Sequence, residues 1–312
     1  MPDDPPAARQ SAGTSPSLLA YLRLFRLPNV FTALADVMMG FLYVQQTLQP
    51  GLKFGLLAAA SASLYTAGMV LNDLFDLPVD RHERPQRPLP SGAISLRQAQ
   101  VWGGGLLLLG IVLAWQVGLR SGMIGTTLAA AIVLYDGVLK KTVVAPFLMG
   151  SCRLLNVLLG MSFTTAEFPT TDQLLVAAGI GIYIVGVTWF ARAEARTSQR
   201  SLLLLGLAIM GCGWGLLGIF PRFRAAPLLL LHGSTVWPLL VALVALSVVR
   251  RCVAAILDPR PATVQRAVKL CILTLITLDA AVTLVTSGPV WAMVVLSLLV
   301  PTLVMGRWIY ST

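Results

Sequence analysis

The stretch Val70-Leu71-Asn72-Asp73-Leu74-Phe75-Asp76-Leu77-Pro78-Val79-Asp80-Arg81-His82-Glu83-Arg84-Pro85-Gln86-Arg87-Pro88-Leu89-Pro90-Ser91-Gly92 follows an uncharged run over residues 54–71. A helix needs roughly 20 apolar residues to cross about 30 Å of hydrocarbon. The run is therefore read as a membrane span that ends in carboxylates and then meets an arginine- and proline-rich loop.

The same ruler places further spans near 28–48, 98–118, 122–138, 144–163, 173–191, 201–219, 232–250, 266–286 and 289–310, with the first charged stretch closing one near 53–75. Breakers separate them, among them Gln49-Pro50-Gly51, Pro90-Ser91-Gly92, Asp258-Pro259 and Ser287-Gly288-Pro289. The expected fold class is an all-α integral membrane bundle of nine to ten transmembrane helices. Composition agrees: 56% of the 312 residues are hydrophobic and 12% are charged, where a soluble domain averages about 25% charged. Residues 1–17 form a polar, Pro- and Ser-rich tail that lacks the basic-then-apolar order of a signal peptide, and 18–312 form one transmembrane domain.

Charge sets the orientation. With both ends on one side, eighteen Lys and Arg fall on that side and only Lys53, Arg120, Arg222 and Arg224 on the other. The positive-inside rule makes the basic side cytoplasmic, in a cell inner membrane. The net charge of +10 is then a topological signal, and no nucleic-acid partner is needed to explain it. Cys152, Cys212, Cys252 and Cys271 sit in or beside apolar segments without C-x-x-C spacing, and are read as small buried hydrophobes.

Asp73, Asp76 and Asp80 are spaced by three and four, within about 60° of one helical face. Like charges so placed repel, and an Asp at membrane depth costs about 2.5–3.5 kcal/mol. They suit Mg²⁺, which takes few protein carboxylates and completes its octahedron with water and phosphate oxygens. Asn72 can add an amide to the same shell or hold a carboxylate in place. Pro78 predicts a kink or unwound turn near 74–77. Arg81, Arg84 and Arg87 follow among stiffening prolines, and guanidinium groups grip phosphate in pairs of hydrogen bonds. Metal ligands beside phosphate-binding arginines imply a metal-bridged diphosphate.

The joint pattern N-D-x-x-D-x-x-x-D at Asn72 to Asp80 and R-P-x-R-P-x-P-S-G at Arg84 to Gly92 resembles the UbiA superfamily of membrane prenyltransferases. Arg26-Leu27-Pro28-Asn29 and Tyr135-Asp136 with Lys140 extend the resemblance. It implies a helical bundle around a central cavity open to lipid, Mg²⁺ as cofactor, a polyprenyl diphosphate donor and a hydrophobic or aromatic acceptor. It implies Asp73, Asp76, Asp80, Arg84 and Arg87 as the catalytic set, with the three aspartates as metal ligands. Asn29, Asn72, Arg81, Tyr135 and Lys140 then belong to the substrate site. The family's second aspartate-rich motif is replaced by Arg192-Ala193-Glu194-Ala195-Arg196, similar to the EboC subgroup. There Arg192 is expected to bind diphosphate, and Glu194 to orient it or hold one loosely bound metal.

Polar groups inside spans are functional candidates, because burying them is costly. Arg153 and Asn156 lie one turn apart in the fifth span. Arg153 needs an anion there, either a carboxylate or the diphosphate. Asp36 shares a face with Asn29, and Asp279 has no partner visible in the sequence. Besides prenyl transfer, carriage of an isoprenoid or precursor and non-catalytic diphosphate binding would also account for a polar cavity in such a bundle. The topology is directly testable. In a background without native cysteines, a cysteine placed within 81–92 should react with an impermeant thiol reagent only from the cytoplasmic side. Labelling of intact cells from outside would invert the orientation.

Overall fold

The computed structural model describes residues 17–192, 199–225 and 236–309. A short helix α1 (Leu18–Leu24) leads into α2 (Leu27–Gln45), α3 (Gly51–Glu83), α4 (Leu96–Val117) and α5 (Leu119–Leu134). Helices α6 (Ala145–Met161), α7 (Thr171–Ala191), α8 (Arg200–Ile219), α9 (Val236–Leu257) and α10 (Pro261–Ser287) follow. The last crossing is made by α11 (Pro289–Ser297) and α12 (Leu299–Trp308) together. Among the described residues, nine segments are long and apolar enough to span a membrane. The tenth, α6, has 17 residues and measures about 26 Å. The expected tail lies almost wholly outside the described residues, up to Ser17, which caps α1.

Local chemistry explains the breaks. Gly288, at φ 98°, separates α10 from α11, a backbone setting that glycine takes without penalty. Pro301 cannot donate to the carbonyl of Ser297, and the last crossing is segmented at Leu298. Pro78 does not unwind the helix. α3 stays helical through it to Glu83, over 33 residues or about 50 Å. Arg87 ties Asp73 and Asp80 together across the proline, and the Arg84 N–H closes the last turn on the Asp80 carbonyl. These contacts offset the one backbone hydrogen bond that proline removes.

The helices form a ring. α2 packs on α3, α6, α10 and α12, while α6, α7, α8, α9 and α10 pack in succession. One apolar core joins α6–α10 to α2 around Tyr183, Phe190, Met210 and Leu275. A second joins α2–α6 around Phe41, Leu64, Leu128 and Leu159. Leu108 and Leu109 on α4, and Leu239, Leu243 and Leu246 on α9, are exposed, as expected of surfaces facing lipid. Alternating crossings bring the starts of α2, α6 and α10 and the ends of α3, α5, α7 and α12 to one end of the bundle.

Lipid tails are as apolar as the helices, so tight packing replaces the hydrophobic drive between spans. At the α7–α8 contact a Cβ on Gly186 would sit 2.6 Å from the Gly206 carbonyl oxygen, and one on Gly206 would sit 3.0 Å from that of Gly186. Gly186→Leu should therefore lower the thermal midpoint in detergent, by at least the about 1–3 kcal/mol of an overpacked core. An unchanged midpoint would contradict this packing.

Candidate active site

The last turns of α3 carry the aspartates to the common end of the bundle. Arg87 Nη1 donates to Asp80 Oδ2 at 2.6 Å and to Asp73 Oδ1 at 3.3 Å. One guanidinium reaches both because residues seven apart share a helical face. Arg26 Nη2 donates to the same Asp73 oxygen at 2.8 Å. Arg26 joins α1 to α2 in the left-handed region, at φ 45° and ψ 46°, a costly setting for a side-chain-bearing residue. Asp76, on the cavity side, accepts from Lys140 Nζ. Next to it, Asn72 Nδ2 donates to Asp136 Oδ1 at 3.1 Å. Tyr135 and Asp136 lie in a π-turn that continues α5 over Tyr135–Leu139, a widening that often marks functional positions. Asp73, Asp76 and Asp80 are thus each paired with a cation from outside α3.

A cavity of about 1040 Å³ opens at this end. Asn29, Asn72, Asp76, Arg84, Arg87, Tyr135 and Lys140 line it, as do Arg153 and Asn156 further in. Its remaining wall is largely apolar, with Ile132, Met149, Ile184, Val187 and Ile272. Asp73 and Asp80 stand behind the wall, their side chains 4% exposed. The structure does not bring the whole expected set together. Arg81 is exposed and off the cavity wall. Arg192 is exposed too, donating to the Thr142 carbonyl at 2.9 Å and lying 5.3 Å from the Trp189 ring. Glu194 lies outside the described residues.

The anion for Arg153 is a carboxylate. Arg153 Nη1 donates to Asp36 Oδ2 at 2.8 Å and Nη2 to Thr32 Oγ1 at 2.7 Å. Asn156 Nδ2 donates to the same Asp36 oxygen at 3.0 Å and to the Ala33 carbonyl at 2.9 Å. Ser61 Oγ donates to Asn156 Oδ1 at 2.7 Å. Arg153 also lies 5.4 Å from the Tyr65 ring, within cation–π range. Asp279 on α10 is fully buried close to Asp36, and neither of its oxygens has a hydrogen-bond partner among the described residues.

The donor set fits Mg²⁺ of the kind that bridges phosphate. Among the described residues, no three His, Cys, Asp or Glu side chains converge as a self-sufficient cage. Asp76 on the wall, with Asp73 behind it and Asn72 beside it, offers the one or two carboxylates that Mg²⁺ takes when phosphate oxygens supply the rest.

Sequence reasoning passed over Ser61 and Tyr65 on the wall, and used Arg26 and Asp136 only as parts of a pattern. The signal for the first two was present. Ser61, Tyr65, Asn72 and Asp76 repeat at helical spacing and form the polar stripe by which α3 faces the cavity. Arg266, Lys269 and Arg307, counted only as inner-side charge, also line it.

A membrane bundle with paired charges at the mouth of an apolar cavity belongs to the class that handles amphiphilic anions. The model of the UbiA prenyltransferase family matches residues 33–272, and the chain belongs to that family. The digeranylgeranylglyceryl phosphate synthase of Saccharolobus solfataricus is 36% identical over 127 residues, 40% of this chain and 45% of the relative. That of Ignicoccus hospitalis is 30% identical over 154 residues, 49% of this chain and 50% of the relative. The matched part thus spans about half the length of these curated relatives. The fold is that of a UbiA homologue from Aeropyrum pernix K1 (TM-score 0.65, 20% identity, 82% of this chain and 97% of that one). It is also that of a UbiA homologue from Archaeoglobus fulgidus bound to GPP and Mg²⁺ (TM-score 0.57, 14% identity, 89% of this chain and 99% of that one).

Removing one member of a buried ion pair leaves the other uncompensated, at a cost of about 3–5 kcal/mol. Asp36→Asn should therefore lower the thermal midpoint in detergent sharply. Asp36→Leu combined with Arg153→Met should recover part of the loss. A single variant as stable as the parent would contradict the pairing.

Proposed function

We propose that the protein is a membrane-embedded prenyltransferase. It moves the isoprenoid group of a polyprenyl diphosphate onto a hydrophobic or aromatic acceptor, at a site facing the cytoplasm from the inner membrane. The observation that carries this reading is the cavity mouth, where α3 carboxylates and cations from three chain segments converge above an apolar wall.

Asp76 and Asp73 would hold Mg²⁺, with Asn72, itself anchored on Asp136, in the same shell. When bound, the ion supplies positive charge where the departing diphosphate gathers negative charge. Arg84, Arg87 and Lys140 take diphosphate oxygens by charge-assisted hydrogen bonds, and Asn29 adds a neutral donor. Arg26 holds Asp73 in place. In the reaction, the bond between the allylic carbon and the diphosphate oxygen breaks with its electron pair leaving on oxygen. The acceptor then forms its bond to that carbon and gives up a proton, which the released diphosphate can take. Ile132, Met149, Ile184, Val187 and Ile272 exclude water, which would otherwise capture the allylic cation. The guanidinium of Arg153, held by Asp36 and Thr32, leaves a polar point deep in the apolar wall against which an acceptor's polar group can be oriented. Arg192, bonded to Thr142, approaches the diphosphate only by leaving that contact.

The reading is tested with purified protein and radiolabelled geranyl diphosphate. Asp73→Asn and Asp76→Asn should each abolish Mg²⁺-dependent binding while helical content is retained. Binding by both variants at the parent's affinity would rule out the metal role.

A further inference from the structure

Among the described residues, the mouth of the cavity is basic on two sides and has carboxylates on only one. Facing the α3 aspartates are Arg266 and Lys269 in the early turns of α10, and Arg307 near the end of α12. Among the described residues, none of these three has an acidic partner, whereas Arg26, Arg87, Lys140, Arg153 and Arg260 each have one. They line the cavity, so they are not cations merely reaching past lipid for the interface. Ala262, in the first turn of the 27-residue α10, lines the same space, so the positive end of that helix faces the cavity.

We propose that Arg266, Lys269 and Arg307 form a second phosphate subsite that works without a metal. The deduction rests on the prenyl-transfer reading for what lies across the cavity, and on charge and space for the rest. Cations without carboxylates have no ligands to offer Mg²⁺, but they bind phosphate directly through charge-assisted hydrogen bonds. A volume of about 1040 Å³ lies at the upper limit of ordinary small-molecule sites, about 300–1000 Å³, and accommodates a second amphiphile beside a prenyl chain. The ligand class is a phosphate on an apolar tail. It arises either from a phosphate-bearing acceptor or from the donor's own diphosphate reaching across. The second source would make these cations the replacement for the missing second aspartate-rich motif, a role that Arg192, bonded to Thr142, does not fill.

The test uses the full chain in non-ionic detergent, with Arg266→Gln, Lys269→Gln and Arg307→Gln combined. All three residues are exposed, so the variant should fold. One probe is dodecyl phosphate in EDTA, with dodecanol as its neutral counterpart. The other is geranyl diphosphate with Mg²⁺. Losing even one or two charge-assisted contacts should weaken dodecyl phosphate binding at least about tenfold and leave dodecanol unaffected. If geranyl diphosphate affinity is unchanged, the phosphate belongs to the acceptor; if it falls in parallel, the donor's diphosphate spans the cavity. Arg250→Gln with Arg251→Gln removes two exposed cations away from the cavity and should change neither probe. The proposal is overturned if the triple variant binds dodecyl phosphate as the parent does, or if the Arg250/Arg251 variant loses as much. A parent protein that holds dodecyl phosphate through these cations but binds no geranyl diphosphate would sink the prenyl-transfer reading and leave the subsite standing.

Discussion

Charge at the end of a membrane helix must be answered from outside that helix, and this constraint organises the protein. α3 brings three aspartates to one end of the bundle, and their cations come from the α1–α2 junction, the loop after α3 and the end of α5. The matching therefore closes the ring at the site as it neutralises it. Arg26 is held in an unfavourable backbone setting with its guanidinium on Asp73, the kind of local strain that persists where surrounding contacts over-determine it. An anionic ligand with its own metal would find every group needed to exchange these internal pairs for new ones.

The deeper junction follows the same logic with fewer charges. Arg153, Asp36, Thr32, Asn156 and Ser61 form one network across α2, α3 and α6, and the cation–π contact with Tyr65 belongs to it. The network fixes a guanidinium on the wall of an apolar cavity, where an unpaired one would be too costly to bury. Around it the spans approach through glycine contacts such as Gly186 with Gly206. The bundle thus keeps its shape by packing while its interior remains hollow.

Much of this was legible in the sequence, because membrane helices write their length and their charges plainly. The span count and Arg153 as a buried cation in need of an anion followed from spacing alone. The single face expected for Asp73, Asp76 and Asp80 instead divides, with Asp76 on the cavity wall and the other two behind it. The rest depended on tertiary facts. Pro78 was expected to kink α3 or unwind a turn, and with contacts spanning it no turn is unwound. The partner of Arg153 could have been a carboxylate or a ligand; it is Asp36, 117 positions away. Arg81 and Arg87 looked equivalent in an arginine repeat, yet α3 is still helical at Arg81, which points outward, while Arg87 folds back over the aspartates. Arg266, Lys269 and Arg307 could not be told from ordinary inner-side charge until α10 and α12 were seen on the cavity wall.

The central claim is that this cavity breaks the bond between an isoprenoid and its diphosphate. The most direct measurement is product analysis in sealed proteoliposomes, using labelled prenyl diphosphates of several lengths with panels of aromatic and phosphate-bearing acceptors. The account predicts Mg²⁺-dependent release of diphosphate, matched mole for mole by a prenylated acceptor for at least one pairing. Labelled donor that crosses the vesicle wall intact, with no diphosphate released under any pairing, would contradict it and identify a carrier.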